Sequence, residues 1–115
     1  MSLRQLHRDE IPPGTLDMLI LKTLARSGEM HGFEIANSIQ QISEHILRVE
    51  EGSLYPALQR MLIKGWVTGE WGVTSGNRRA RYYKVTASGR KQLEAELSQF
   101  SRVFGAITRI IQIET

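Results

Sequence analysis

The chain has 115 residues, 41% of them hydrophobic, which suits a single domain whose modest core is completed by association. A net charge of +3 names no partner by itself, and the lack of cysteine excludes disulfides and thiol chemistry while remaining compatible with a reducing compartment. The longest aliphatic run, Met18–Leu21, is far too short to span a bilayer and the N-terminus lacks a signal peptide's apolar segment, so the expectation is a soluble, cytoplasmic protein with no membrane partner.

In chain order, Met1–Glu10 could begin a short helix that Pro12-Pro13-Gly14 stops, which leaves 1–13 as a flexible N-terminus. Thr15 suits an N-cap, with Asp17 in the first turn. Leu16 to Ala25 is apolar at Leu16, Met18, Leu19, Ile20, Leu21, Leu24 and Ala25. That is too many for one stripe, so the helix is expected to be buried on two sides, one against another subunit. Ser27-Gly28 ends it, and Met30-His31-Gly32 turns the chain into a second helix over Gly32–Gln41. His31 reads as a cap or turn residue. With His7 and His45 it makes no metal-site spacing, so no metal or other cofactor is expected.

Ile46–Val49 is β-prone and predicts a small strand. The stretch Glu51–Gly65 then reads as the pivotal helix. Leu54, Leu58, Met61 and Leu62 form one apolar stripe, while Tyr55, Pro56, Gln59 and Arg60 face the other way. Ser53 is the expected N-cap, Pro56 is expected in the first turn, and Gly65 ends the helix. Taken alone, this pattern suits an ordinary amphipathic helix with a solvated face.

Its neighbours change that reading. Trp66–Trp71 and Ala80–Thr86 read as paired strands joined by the polar tip Thr74–Arg79. On the second strand Tyr83, Val85 and Arg81 share one face, and Tyr82 and Lys84 take the other. No acidic residue lies between Glu70 and Glu94, whereas Arg78, Arg79, Arg81, Lys84, Arg90 and Lys91 all do. Such a local field suits nucleic acid, although a solvated basic hairpin would look the same. Three helices followed by a basic hairpin predict an α+β, mainly α, winged helix-turn-helix domain over 1–86. Its third helix would enter the major groove, and its wing would lie on the backbone or minor groove.

From Thr86, an N-cap, a last helix is expected over 87–115. Leu93, Leu97, Phe100, Phe104, Ile107 and Ile111 are spaced 4, 3, 4, 3, 4, a heptad seam that calls for a partner helix. With Leu16 and Leu19 they form the expected homodimer interface, which would relate two recognition helices by a two-fold axis.

These residues resemble the PadR family of bacterial transcriptional regulators. The matching stretches are Gly14–Lys22, His31–Ile35, Glu51–Leu58, Gly65-Trp66 and Arg81–Gly89, and the single last helix resembles the family's shorter subfamily. The resemblance implies a homodimeric repressor binding an inverted-repeat operator in double-stranded DNA. It maps DNA contacts to Phe33, Ser53, Tyr55, Pro56 and Arg60 and to the wing at Asn77, Arg78 and Arg79; the pattern of the residues themselves adds Gln59 and Arg81. Phe33 stands where the family often has Tyr, and the wing departs from the frequent Gly-Arg-Pro-Arg turn. The resemblance also implies release from DNA by planar aromatic or hydrophobic effectors, often bound between the dimer halves. No residue here identifies one, and core packing is the expectation for Trp66, Trp71, Phe100 and Phe104.

Competing functions fare worse. An enzyme would need a phosphate-binding glycine loop, a metal cluster or a nucleophile–base pair at recognisable spacing, and none is present. A winged helix that binds protein, or a small-molecule-sensing dimer with secondary DNA binding, remain the alternatives.

Overall fold

The computed structural model describes residues 11, 12 and 14–113. The helix expected over Met1–Glu10, and with it most of the 1–13 segment, lies outside the described residues. Chain order is α1 (Leu16–Ser27), β1 (Met30–His31), α2 (Gly32–Ile42), α3 (Glu51–Lys64), β2 (Val67–Val73), β3 (Arg79–Val85) and α4 (Ala87–Gln112). The antiparallel sheet has the order β1-β3-β2. This is a mainly helical α+β fold, a winged helix-turn-helix.

Apolar spacing places the core. Ile20, Leu21 and Leu24 of α1, Ile35 and Ile39 of α2, and Leu54, Ala57, Leu58 and Met61 of α3 are buried together. The hairpin closes the core with Val67, Tyr83 and Val85, and α4 adds Leu93. Among the described residues no helix is long and apolar enough to cross a membrane.

Three local expectations are corrected. Thr15 precedes α1 but does not cap it with its side chain: its hydroxyl donates to the Pro12 carbonyl at 2.7 Å. Ile46–Val49 is not a strand; β1 is instead Met30–His31, which pairs with Tyr83 and Tyr82 of β3. Of that segment only Leu47 makes a bridge, since β-propensity alone does not set pairing. α3 begins at Glu51 rather than after Ser53, so Pro56 sits inside the helix and deprives the exposed Gly52 carbonyl of its usual donor. Water can reach that carbonyl, which keeps the defect tolerable. His31, by contrast, caps α2 as expected. Its Nδ1 accepts from the Glu34 N–H while the Glu34 carboxylate accepts from the His31 N–H.

The turn after α3 fixes where the wing starts. Gly65 takes the left-handed conformation (φ 78°), and Trp66 N–H reaches back to the Met61 carbonyl at 2.9 Å. The Thr86 N–H then donates to the Trp66 carbonyl at 3.0 Å, and the Thr86 hydroxyl donates to Gly65 O at 2.7 Å. That same hydroxyl accepts from Gly89 N–H, capping α4. The two ends of the hairpin and the start of α4 are thereby tied at one point.

Gly89 makes this junction possible, because a Cβ there would collide with the Trp66 carbonyl and with Val85. Gly89→Ala is therefore expected to cost about 3 kcal/mol or more, at the upper end of overpacking penalties. Urea unfolding checks this, and a midpoint unchanged from wild type would show that the junction yields.

Candidate nucleic-acid interface

Strand periodicity builds the interface from the same face that builds the core. Register pairs Val67 with Val85, Gly69 with Tyr83, Trp71 with Arg81 and Val73 with Arg79. Side chains two apart share a face. At the base this face is buried (Val67, Val85, Tyr83); towards the tip it carries Trp71, Arg81 and Arg79 beyond the core. Arg79 lies over the Trp71 indole at 4.5 Å and Arg81 at 5.9 Å.

Opposite this face stand the starts of α2 and α3, and the space between is a cleft of about 730 Å³. Its walls include Phe33, Tyr55, Trp71, Arg78, Arg79 and Arg81. Gly32 allows α3 to come this close, since a Cβ there would lie 2.8 Å from the Tyr55 ring. Burial pushes the Tyr83 phenol above its ordinary range; the Arg81 charge opposes that shift and Tyr55 adds to it. No ion pair among the described residues neutralises the wing arginines. At the tip, Asn77 holds a left-handed conformation (φ 65°) and Thr74 closes the turn through the Arg78 N–H and C=O.

Five residues expected to contact DNA thus meet around one cleft: Phe33, Tyr55, Arg78, Arg79 and Arg81. Ser53, Pro56, Gln59 and Asn77 are exposed but lie outside its walls. Arg60 is exposed as well, yet its guanidinium is already paired with the Asp17 carboxylate of α1 at 2.8 Å. Core packing, the expectation for Trp71, is corrected: the residue is 60% exposed and belongs to the cleft that sequence reasoning leaves it out of. The available signal is its spacing of two and four residues from Gly69 and Val67, which puts it on the arginine face. Trp66 does pack against the core, under Lys64. Phe100 and Phe104 are also corrected, since they stack on each other outside the core, at 5.6 Å.

Comparison with known proteins decides the family. Residues 20–95 match the Transcriptional regulator PadR-like family. The chain belongs to it. A PadR-like transcriptional regulator from Bacillus cereus superposes with a TM-score of 0.74 at 28% identity, over 88% of this chain and 95% of that one. A PadR family transcription regulator from Clostridium difficile gives 0.72 at 28% identity, over 85% and 99%. A transcriptional regulator of Mycobacterium tuberculosis is 38% identical over 69 residues, 60% of this chain and 61% of that protein. As a PadR-like chain this is a DNA-binding transcriptional regulator, and the family and the solved structures named above are of transcriptional regulators, not enzymes. Among its described residues no group of three or more potential ligands could hold a metal ion.

Replacing Arg78 and Arg79 together with Ala is expected to weaken binding to all duplexes alike. The slope of log affinity against log salt should fall by about 1 for each phosphate that is no longer neutralised. A titration over several salt concentrations measures it, and an unchanged slope would mean that the tip arginines are merely solvated.

Proposed function

We propose that this PadR-like chain is a repressor that binds an inverted-repeat operator as a homodimer and leaves it when a small aromatic or hydrophobic effector binds. The observation that carries the DNA reading is the convergence of α2, α3 and the wing on one face, with three arginines that no carboxylate of the described residues pairs. In this reading α3 lies in the major groove, with Tyr55 and Gln59 towards base edges and Ser53 and Pro56 along the backbone. Asn77, Arg78, Arg79 and Arg81 follow the adjacent phosphates or minor groove, and Phe33 packs on the backbone without the hydrogen bond a Tyr would supply. Arg60 can read a base only by exchanging or sharing the Asp17 carboxylate.

The dimer reading rests on α4. Its 26 residues span about 39 Å, longer than one small domain needs. Leu93, 6% exposed, is already covered within its own chain, and Leu97, Leu16 and Leu19 are partly so. Beyond them Phe100, Phe104, Ile107 and Ile111 stand exposed, joined by Val103, Ile110 and Ile113, which the heptad spacing omits. So large an apolar surface on a monomer marks an interface. In the division proposed here, the domain of 1–86 carries DNA binding, and 87–115 carries dimerisation through the distal part of α4.

Two measurements test this. Phe104→Glu should leave the monomer folded, since Phe104 lies outside the core cluster, but should forfeit about 1.5–3 kcal/mol of burial per copy and split the dimer. Sedimentation reads the result, and a wild-type chain that is monomeric at micromolar concentration sinks the dimer. Selection from random duplexes should return two half-sites about 34 Å apart, or a multiple of that. On the selected site Tyr55→Ala and Gln59→Ala should each lose about 1–3 kcal/mol of discrimination at one base pair. Equal losses on every sequence would remove α3 as the reader.

A further inference from the structure

We propose that Trp71 is a positioning residue for DNA binding: its indole holds the Arg79 and Arg81 guanidiniums in place on the wing without neutralising them. The role rests on the reading of the wing as a DNA-contacting element, and adds to it a residue that acts through its neighbours.

The strand register brings the three side chains together. Trp71 stands directly opposite Arg81, and Arg79, two residues nearer the tip, is its diagonal neighbour. The Arg79 guanidinium carbon lies 4.5 Å from the ring centroid and that of Arg81 5.9 Å, both within reach of a cation–π contact. Among the described residues no such contact holds Arg78, the third arginine of the wing. Trp71 lies outside the core cluster and is 60% exposed, so core packing does not account for an indole at this place.

What holds an arginine decides what it can still do. A carboxylate orders the guanidinium but cancels its charge and occupies its donors, as Asp17 does for Arg60 at 2.8 Å. An indole attracts the same cation through its quadrupole and carries no net charge. Arg79 and Arg81, which no carboxylate of the described residues pairs, are therefore ordered while fully positive. A free arginine loses rotamer freedom when a phosphate captures it. Where the ring has already restricted the side chain, that loss falls on folding rather than on binding, and affinity rises with no added contact.

Pre-ordering has a signature that a phosphate contact does not share. Trp71→Leu should weaken binding of a labelled random-sequence duplex on the order of tenfold at every salt concentration, the worth of two exposed cation–π contacts. The slope of log affinity against log salt should stay as in wild type, because the same phosphates are neutralised in the end. Trp71→Phe, which keeps a weaker ring, should recover part of the loss. In an Arg79→Ala chain the effect of Trp71→Leu should shrink to about threefold, whereas in an Arg78→Ala chain it should remain about tenfold.

Unchanged affinity in Trp71→Leu overturns the role. So does an equal loss with and without Arg79, which would mean that the indole meets DNA itself, or a lowered slope, which would mean that the wing has lost its shape. Should the leucine variant fail to fold, Trp71→Phe decides by a loss that is present beside Arg79 and reduced without it. A second readout needs no DNA. In a Trp66→Phe chain Trp71 is the sole indole, and Arg79→Ala should raise the quenching of its fluorescence by acrylamide. Unchanged quenching overturns the contact and the role with it. A chain that shows this rise but binds no duplex removes the DNA reading, whereas one that binds duplex regardless of Trp71→Leu removes the positioning role alone.

Discussion

The two-residue period of the β2–β3 hairpin is the constraint on which the rest depends. One face of seven-residue strands must serve two environments, because the strands are longer than the core they cover. Val67, Val85 and Tyr83 commit the first half of that face to the core, and Trp71, Arg81 and Arg79 carry the second half beyond it. No change of register could separate the two functions, since a one-residue slip of β3 would turn Val85 outward together with the arginines and bury Lys84 instead. The core therefore sets the direction in which the wing arginines point. The junction at Trp66, Thr86 and Gly89 anchors that face to the helices, so the tip is aimed by backbone hydrogen bonds rather than by its own side chains.

The helices were legible because each buries a periodic stripe, and the stripes of α1 to α3 became the core with few changes. The exceptions share a cause: pairing partners are tertiary facts. Met30–His31 is too short to show an alternating pattern, yet it pairs because the outer edge of β3 is open beside it. Ile46–Val49 has the stronger β-propensity, yet only Leu47 of it makes a bridge and the segment does not extend into a strand. Trp71 misleads for a related reason. A large aromatic is usually buried, but its place in the strand lies past the end of the core, where cation–π contact with Arg79 covers one side of it.

The cleft is legible in part as a set of residues, five of those expected to contact DNA, and not as a shape. Charge patterning finds the arginines, but the cleft exists only because Gly32 lets Tyr55 close on α2 and Gly69 lets Arg81 lie flat. Neither glycine carries a side chain that could announce this. The α4 seam shows the same limit. Its 4, 3 spacing runs unbroken from Leu93 to Ile111, although Leu93 faces its own core and Ile111 is 75% exposed. Periodicity reports that a face is covered and cannot say by whom.

The Arg60–Asp17 pair bears on how this fold could divide affinity from specificity. An exposed arginine free on the outer face of α3 would add a mobile positive charge to any duplex. Held by Asp17 at 2.8 Å, it is close to neutral as a pair and fixed in direction. A half-exposed pair of this kind adds little to stability, so its effect on the field matters more than its contribution to folding. Non-specific attraction would then fall chiefly to the wing, whose arginines have no such partners. A base edge could draw Arg60 away only by offering two acceptors in the geometry the carboxylate already provides, as guanine does. Wrong sequences would leave the pair intact and gain nothing from it. If α3 is the reader, the acidic residue in the first turn of α1 would act as a threshold on it, so that Asp17→Asn should raise affinity for random duplex more than for the selected site. Equal gains on both, read by anisotropy, would mean that Asp17 simply neutralises charge.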